Sequence, residues 1–334
     1  RLCSGPTSRR MTSFKQSRCT VSNAQNSDFR NRPKPCVGLA LSGGGARGLA
    51  HIGVLKVLER EGIPVDRLAG TSMGGVIAAA YAAGMRSQEL EREALGITRL
   101  RRLLRLADPG LPDAGLLRGQ RLLEFFESRI GKRTFADLER PLALMAVDLN
   151  TGREVALREG SVALALRATT AVPGLFAPVE INGQSLVDGG VLNNLPVNAA
   201  RELGAELVIA VSVGPDPNGR AAGWIGDYRW LPQGISQTLL MLDKAARIMI
   251  SRIEAHILEQ HPPDVLIRPQ IPAGVNLLVG YSRARELITA GERAAEEMLP
   301  EIRGILRGWM PPSTKNAAPI TRSHTAWPAG PGTP

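Results

Sequence analysis

Cysteine, histidine and aromatic side chains are all scarce in this chain. Its 334 residues include three cysteines, Cys3, Cys19 and Cys36. An odd count with two members near the N-terminus fits no disulfide framework and points to a reducing compartment. Aromatics make up 4% of the residues, so leucine, valine, isoleucine and alanine must fill the core. Long apolar runs are missing too. The longest, GGVIAAAYAAGM at residues 74–85, is shorter than the ~20 residues a membrane-spanning helix needs and is built largely of small side chains. Residues 1–35 lack the apolar centre of a secretory signal. They are rich in Arg and Ser, weakly resemble a transit peptide, and are expected to form a disordered basic tail, with Met11 an alternative start.

Acidic residues are scarce only in the tails. The formal charge is +10, of which residues 1–35 carry +7 and residues 311–334 carry +2, leaving +1 for residues 36–310. A basic chain suggests nucleic acid or anionic membrane as a partner. Here the basicity belongs to the ends, so no nucleic-acid role is expected of the centre. Residues 311–334, rich in Pro, Gly and Thr, are expected to be a second disordered tail.

The 43% hydrophobic content is that of a globular protein. Residues 37–42 (VGLALS) read as a buried strand stopped by three glycines. Residues 47–61 place Leu49, Ile52, Leu55 and Leu58 at helical spacing, with Gly62 and Pro64 ending the run. A short strand before Gly70 and a small-residue helix over 74–83 follow. Residues 85–140 read as mostly helical. Further strands are expected at 142–149, 185–188, 207–213 and in the DVLIRP segment. Helices are expected at 161–169, 196–203, 235–260 and 282–298. Alternating strands and helices imply one α/β domain over 36–310 with a mainly parallel central sheet flanked by helices.

Three motifs carry chemistry. Gly70-Thr71-Ser72-Met73-Gly74 is a G-x-S-x-G between a strand and a helix, the setting of a nucleophile elbow. A serine there sits on a strained turn with its hydroxyl exposed at a helix N-terminus. The bland reading is a tight turn with a capping serine. Gly43-Gly44-Gly45-Ala46-Arg47-Gly48 also joins strand to helix, and successive glycines let backbone N–H groups converge on an oxyanion. The same residues fit the dinucleotide fingerprint, which wants an acidic residue at the end of the second strand. Asp66 falls before that strand, so this reading is weak. Asp188-Gly189-Gly190 follows a short strand and offers a carboxylate to take the serine proton. Taken alone it is equally an Asp-Gly turn.

Histidine is the usual partner of a catalytic serine. His51 and His256 fall inside helical segments, His51 beside the apolar face of its helix. His324 lies in the tail, and His261 is in a loop. The order Ser72, Asp188, His261 matches an α/β-hydrolase triad, and the residues alone leave that alternative open. Residues 99–106 (RLRRLLRL) alternate arginine with leucine. They suit either a lipid-docking helix or a surface helix packed on the core. Asn193, Asn194 and Pro196 read as a helix start with an asparagine cap.

GGGARG, GTSMG and DGG in this order resemble the patatin-like phospholipase family. GLAHIGVLK from Gly48, ATTAVPGLFAP from Ala168 and DGGVLNNLP from Asp188 add to the likeness, which spans residues 36–300. It is nearest to bacterial members related to the neuropathy-target-esterase catalytic domain. The resemblance implies a patatin-like three-layer α/β/α fold. It implies a Ser–Asp dyad without histidine, with Ser72 as nucleophile and Asp188 as base. It maps Gly43, Gly44, Gly45 and Arg47 onto the oxyanion-hole loop. It further implies hydrolysis of carboxylic esters of phospholipids or lysophospholipids through an acyl-enzyme, with no metal and no cofactor. A regulatory protein using the fold for partner binding is the alternative of another class. Cytoplasmic location, with or without peripheral membrane contact, follows as an expectation. The oligomeric state is left open. A lone aspartate is a weak base at its ordinary pKa, so Asp188 is expected to be buried with its pKa raised.

Overall fold

The computed structural model describes residues 34–97, 108, 116–214, 233–275 and 280–310. The strands are β1 (Val37–Leu41), β2 (Arg67–Thr71), β3 (Leu142–Asp148), β4 (Arg153–Leu157), β5 (Val179–Ile181), β6 (Gln184–Asp188), β7 (Leu207–Val211) and β8 (Val265–Ile267). They form one sheet in the order β5-β6-β3-β2-β1-β7-β8, with β4 also paired to β3. The pairs β3–β2, β2–β1, β1–β7 and β7–β8 are parallel. β4 and β6 run antiparallel to β3, and β5 antiparallel to β6. The mainly parallel sheet is therefore as expected, with an antiparallel flank.

Side-chain size sets the two faces. Leu39 of β1 is level with Leu68 of β2 and Ile209 of β7. With Leu41, Leu144 and Val211 they make one face bulky. The helices α1 (Ala50–Arg60), α2 (Ser72–Ala82) and, further along, α5 (Val162–Thr169) and α8 (Ala284–Gly308) add Ile52, Leu55, Ile77, Leu166 and Leu287 to this core. Between them in the chain come α3 (Ser87–Ile97), α4 (Gln120–Ile130), α6 (Val197–Glu202) and α7 (Gln233–Gln260). The opposite face is small. Ala40 is level with Ala69 and Ala210, and Ala69 with Ala143. This alanine row lets α6 approach closely through Val197, Ala199 and Ala200. Gly38 shows how closely: a Cβ there would lie 3.4 Å from Ala200 Cβ of α6 and 2.5 Å from Ala205 Cβ just beyond it. A small residue in each row thus fixes the sheet-to-helix spacing, because close-packed interiors have no slack for a methyl group.

Most expected elements are present, and the differences have physical causes. The segment after Ser42 winds first as a 3-10 turn, Gly45–Leu49, before α1 begins at Ala50. Asn150–Gly152 forms the expected turn, which reverses the chain into the unanticipated β4. β4 is half-exposed and lacks the apolar run of a core strand. The last helix runs to Gly308 straight through Pro300. The proline is exposed, and so is Glu296, whose carbonyl loses its helical donor there, so water can take that donor's place. Residues 99–106, with their membrane-docking reading, lie outside the described residues, as do residues 1–33 of the N-terminal tail and the whole of 311–334 with His324. Among the described residues no helix is long and apolar enough to cross a membrane.

Candidate active site

The parallel register brings the motifs together. Leu41 of β1 is level with Gly70 of β2. The glycine loop and the Ser72 turn therefore leave adjacent strands side by side at the carboxyl edge of the sheet. In this order β1 separates β2 from β7, so connections diverge to either side of it, which is where open α/β sheets hold their ligands.

Ser72 adopts φ 51, one of two non-glycine residues with positive φ among the described residues. It is the first residue of α2 and is buried. A left-handed serine is strained, and the surroundings hold it there. Its N–H donates to Thr169 Oγ1 at 3.0 Å, and that hydroxyl donates in turn to Met145 O at 2.5 Å. Thr71 Oγ1 donates to Asn193 O at 2.8 Å. The flanking glycines are required for space. A Cβ on Gly74 would meet Ser42 O at 2.5 Å, and one on Gly70 would meet Gly75 Cα at 2.6 Å. The elbow is packed directly against the backbone of β1.

Asp188 arrives by the antiparallel flank. β6 runs back along β3, so its last residue, Asp188, pairs with Ala146, one step beyond the level of Thr71 and Met145. Gly189 then fits over the Met145 backbone, where a Cβ would come within 2.6 Å of its carbonyl carbon. The carboxyl is 5% exposed. It accepts the Gly190 N–H at 2.8 Å, and the Ser72 side chain is near enough to favour its ionised form. Burial pushes it up to about 6, against the opposing pull of the Ser72 side chain and the Gly190 N–H. The expectation of a buried carboxyl with a raised pKa is met.

The glycine loop divides its labour. Gly43 N–H donates to Asn194 O at 3.1 Å, so this amide is spent on fixing the loop and is not a free oxyanion donor. Among the described residues the amides of Gly44 and Gly45 have no such acceptor, and Gly45 turns at φ 56. Met73 N–H lies in the first turn of α2, where no intrahelical acceptor exists. Arg47 is buried and its Nε donates to Val275 O at 3.2 Å, tying the loop to the segment between β8 and α8.

The histidines are elsewhere or occupied. His51 is fully buried, and its Nε2 bonds Ser42 O at 2.8 Å. A carbonyl only accepts, so Nε2 carries the proton. Burial lowers its pKa to about 4 and holds the ring neutral. It braces the base of the glycine loop, a core histidine as expected. His256 is exposed on α7. His261 follows α7 and precedes β8, whose Val265 pairs with Ile209 two residues before the end of β7. That places His261 beyond the amino edge of the parallel strands, at the opposite end of the sheet from Ser72.

Sequence reasoning missed four contributors. Thr169 lies on an apolar helix and gave no local signal. Asn193 and Asn194 do not cap α6, contrary to expectation: its N-cap is Pro196, without a side-chain bond. Their carbonyls receive Thr71 Oγ1 and Gly43 N–H instead, which staples the Asp188 segment to both other motifs. Glu254 of α7 is 3% exposed and accepts from Ser212 Oγ at 2.5 Å and from Asn194 Nδ2 at 3.3 Å. Only the three-dimensional structure brings it to the site.

A strained strand-to-helix serine, a glycine loop beside it and a buried carboxyl near it are the marks of the nucleophile-elbow class of α/β proteins. Residues 39–201 match the family model for patatin-like phospholipase, and the chain carries a domain of the patatin-like phospholipase family. An uncharacterized NTE family protein of Mycobacterium tuberculosis is 38% identical over 230 residues, 67% of this chain and 62% of that protein. The lysophospholipase NTE1 of Yarrowia lipolytica is 28% identical over 301 residues, 85% of this chain and 21% of that protein. The chain thus spans less than two thirds of the length of these relatives. The crystal structure of VipD from Legionella pneumophila aligns with TM-score 0.51 at 14% identity, covering 80% of this chain and 67% of that one, and supports the fold alone.

Proposed function

We propose that this chain is a serine acyl hydrolase that cleaves carboxylic esters of lipids, phospholipid or lysophospholipid, through a Ser72–Asp188 dyad and an acyl-enzyme. One observation carries the reading: the buried Asp188 carboxyl is within electrostatic reach of the strained Ser72, and no histidine among the described residues contributes to its environment. A carboxyl raised to about 6 is mostly ionised at neutral pH and is a stronger base than an ordinary aspartate.

Asp188 takes the Ser72 proton as Oγ attacks the ester carbonyl. Gly44 and Gly45 amides, with Met73 N–H at the α2 N-terminus, receive the oxyanion. Collapse expels the alcohol or lysolipid, which takes the proton from Asp188. Water then attacks the acyl-enzyme, Asp188 accepts its proton and returns it to Ser72 Oγ, and the fatty acid leaves. A lipid substrate entails peripheral contact with a lipid surface during turnover. The test is a panel of phospholipid, lysophospholipid and simple acyl esters on the wild-type protein beside Ser72→Ala and Asp188→Asn. Release of fatty acid by the wild type and its loss in both variants is expected. Equal hydrolysis by Ser72→Ala would sink the proposal.

A further inference from the structure

Once the acyl group occupies Ser72, the second reactant, water, must be held beside it. A general base accepts one proton of that water. Its attack is directed only if the other O–H is also fixed. Asn194 offers the acceptor. It is 2% exposed, and its Nδ2 donates to Glu254 Oε2 at 3.3 Å. Glu254 is held on its other side, with Ser212 Oγ donating to Oε1 and Arg268 Nη2 3.6 Å from the same oxygen. A carboxylate accepts and does not donate, so Glu254 fixes which end of the Asn194 amide faces it. The opposite end, Oδ1, is turned toward the site.

Two glycines show where that oxygen points. A Cβ on Gly43 would lie 2.6 Å from Asn194 Oδ1 and 3.2 Å from Ser72 Cβ. A Cβ on Gly190 would lie 3.2 Å from Asp188 Oδ1 and 3.3 Å from Asn194 Oδ1. The space that a side chain at 190 would fill is therefore bordered by both oxygens, and Asn194 Oδ1 and Ser72 Cβ both border the space at Gly43. Among the described residues nothing donates to Asn194 Oδ1. An acceptor without a donor among the described residues, facing the base across a glycine, is the setting for an ordered water.

We propose that Asn194, oriented by Glu254, positions the hydrolytic water, with Asp188 accepting one of its protons and Asn194 Oδ1 the other. This rests on the Ser72–Asp188 reading. The water oxygen attacks the acyl carbonyl, one proton passes to Asp188, and the C–Oγ bond breaks as that proton returns to Ser72. Asn194 keeps its hydrogen bond to the second proton throughout and leaves the acylation half-reaction untouched.

The test separates the two halves. Asn194→Ala keeps the backbone carbonyl that holds Gly43. Labelling of Ser72 by a fluorophosphonate, which needs no water, is expected to keep a rate within about threefold of wild type. Steady-state turnover of a p-nitrophenyl acyl ester is expected to fall at least about tenfold, with the acyl-Ser72 adduct accumulating in intact-mass spectra. Glu254→Gln keeps the volume but lets residue 254 donate, so the Asn194 amide can turn. The same split, smaller in size, is expected, and this variant stands in if Asn194→Ala does not fold. Labelling and turnover falling in proportion, or turnover unchanged in both variants, would overturn the proposal. Absence of any Ser72 adduct in the wild type and in both variants would instead overturn the dyad reading beneath it.

Discussion

Asp188→Asn should inactivate the protein and yet stabilise it at neutral pH and above. Burial raises the Asp188 carboxyl from 3.8 to about 6 in the folded protein. In the unfolded chain it returns to its ordinary value. Because the folded pKa is the higher one, the folded state loses stability relative to the unfolded state as pH rises from 3.8 through 6. At 1.36 kcal/mol per pH unit the full loss is on the order of 3 kcal/mol. Roughly half of it develops between pH 5 and pH 8. Asparagine removes the ionisation while keeping an acceptor for the Gly190 N–H. Urea unfolding followed by circular dichroism at pH 5 and pH 8 should therefore show the variant gaining on wild type by about 1 to 2 kcal/mol between the two. A stability difference that stays flat across that interval would refute the buried-base argument, whatever the activity of the variant.

The same carboxyl should appear in the kinetics. kcat/KM for a neutral ester is expected to rise with pH through a limb near 6, where Asp188 ionises, and a limb near the ordinary aspartate value would contradict this. Gly74→Ala should destabilise by roughly 1 to 3 kcal/mol and cut activity, since its Cβ meets backbone oxygen of β1, as thermal melting and ester assays can check. His261→Ala should leave kcat within about twofold, because the residue lies at the far edge of the sheet. A loss of a hundredfold or more would restore the triad.

Legibility followed locality. Ser72, the glycine loop and Asp188 were readable because each needs a particular short pattern: glycines where the backbone closes on itself, and a polar side chain at the end of an apolar strand. The apolar runs of β1, β3 and β7 were readable for the same reason. β4 and β5 were not, because a short, half-exposed strand pairs through its backbone and leaves little pattern in its side chains. Thr169, Asn194 and Glu254 lie far from Ser72 in the chain, and each acts through hydrogen bonds that only tertiary packing supplies. The asparagines illustrate the failure: Asn before a proline resembles a helix cap, and here the backbone carbonyls do the work instead. Gly43, grouped by resemblance with the oxyanion-hole loop, has a further task in the structure. Gly43 lies against Ser72, but its amide is committed to Asn194 O.

The most direct test of the account is where a fluorophosphonate reacts. Peptide mapping after labelling should place a single adduct on the Ser72 peptide, with none in Ser72→Ala and a strongly slowed reaction in Asp188→Asn. Lipid hydrolysis that persists while Ser72 stays unlabelled, or an adduct on another residue, would contradict it.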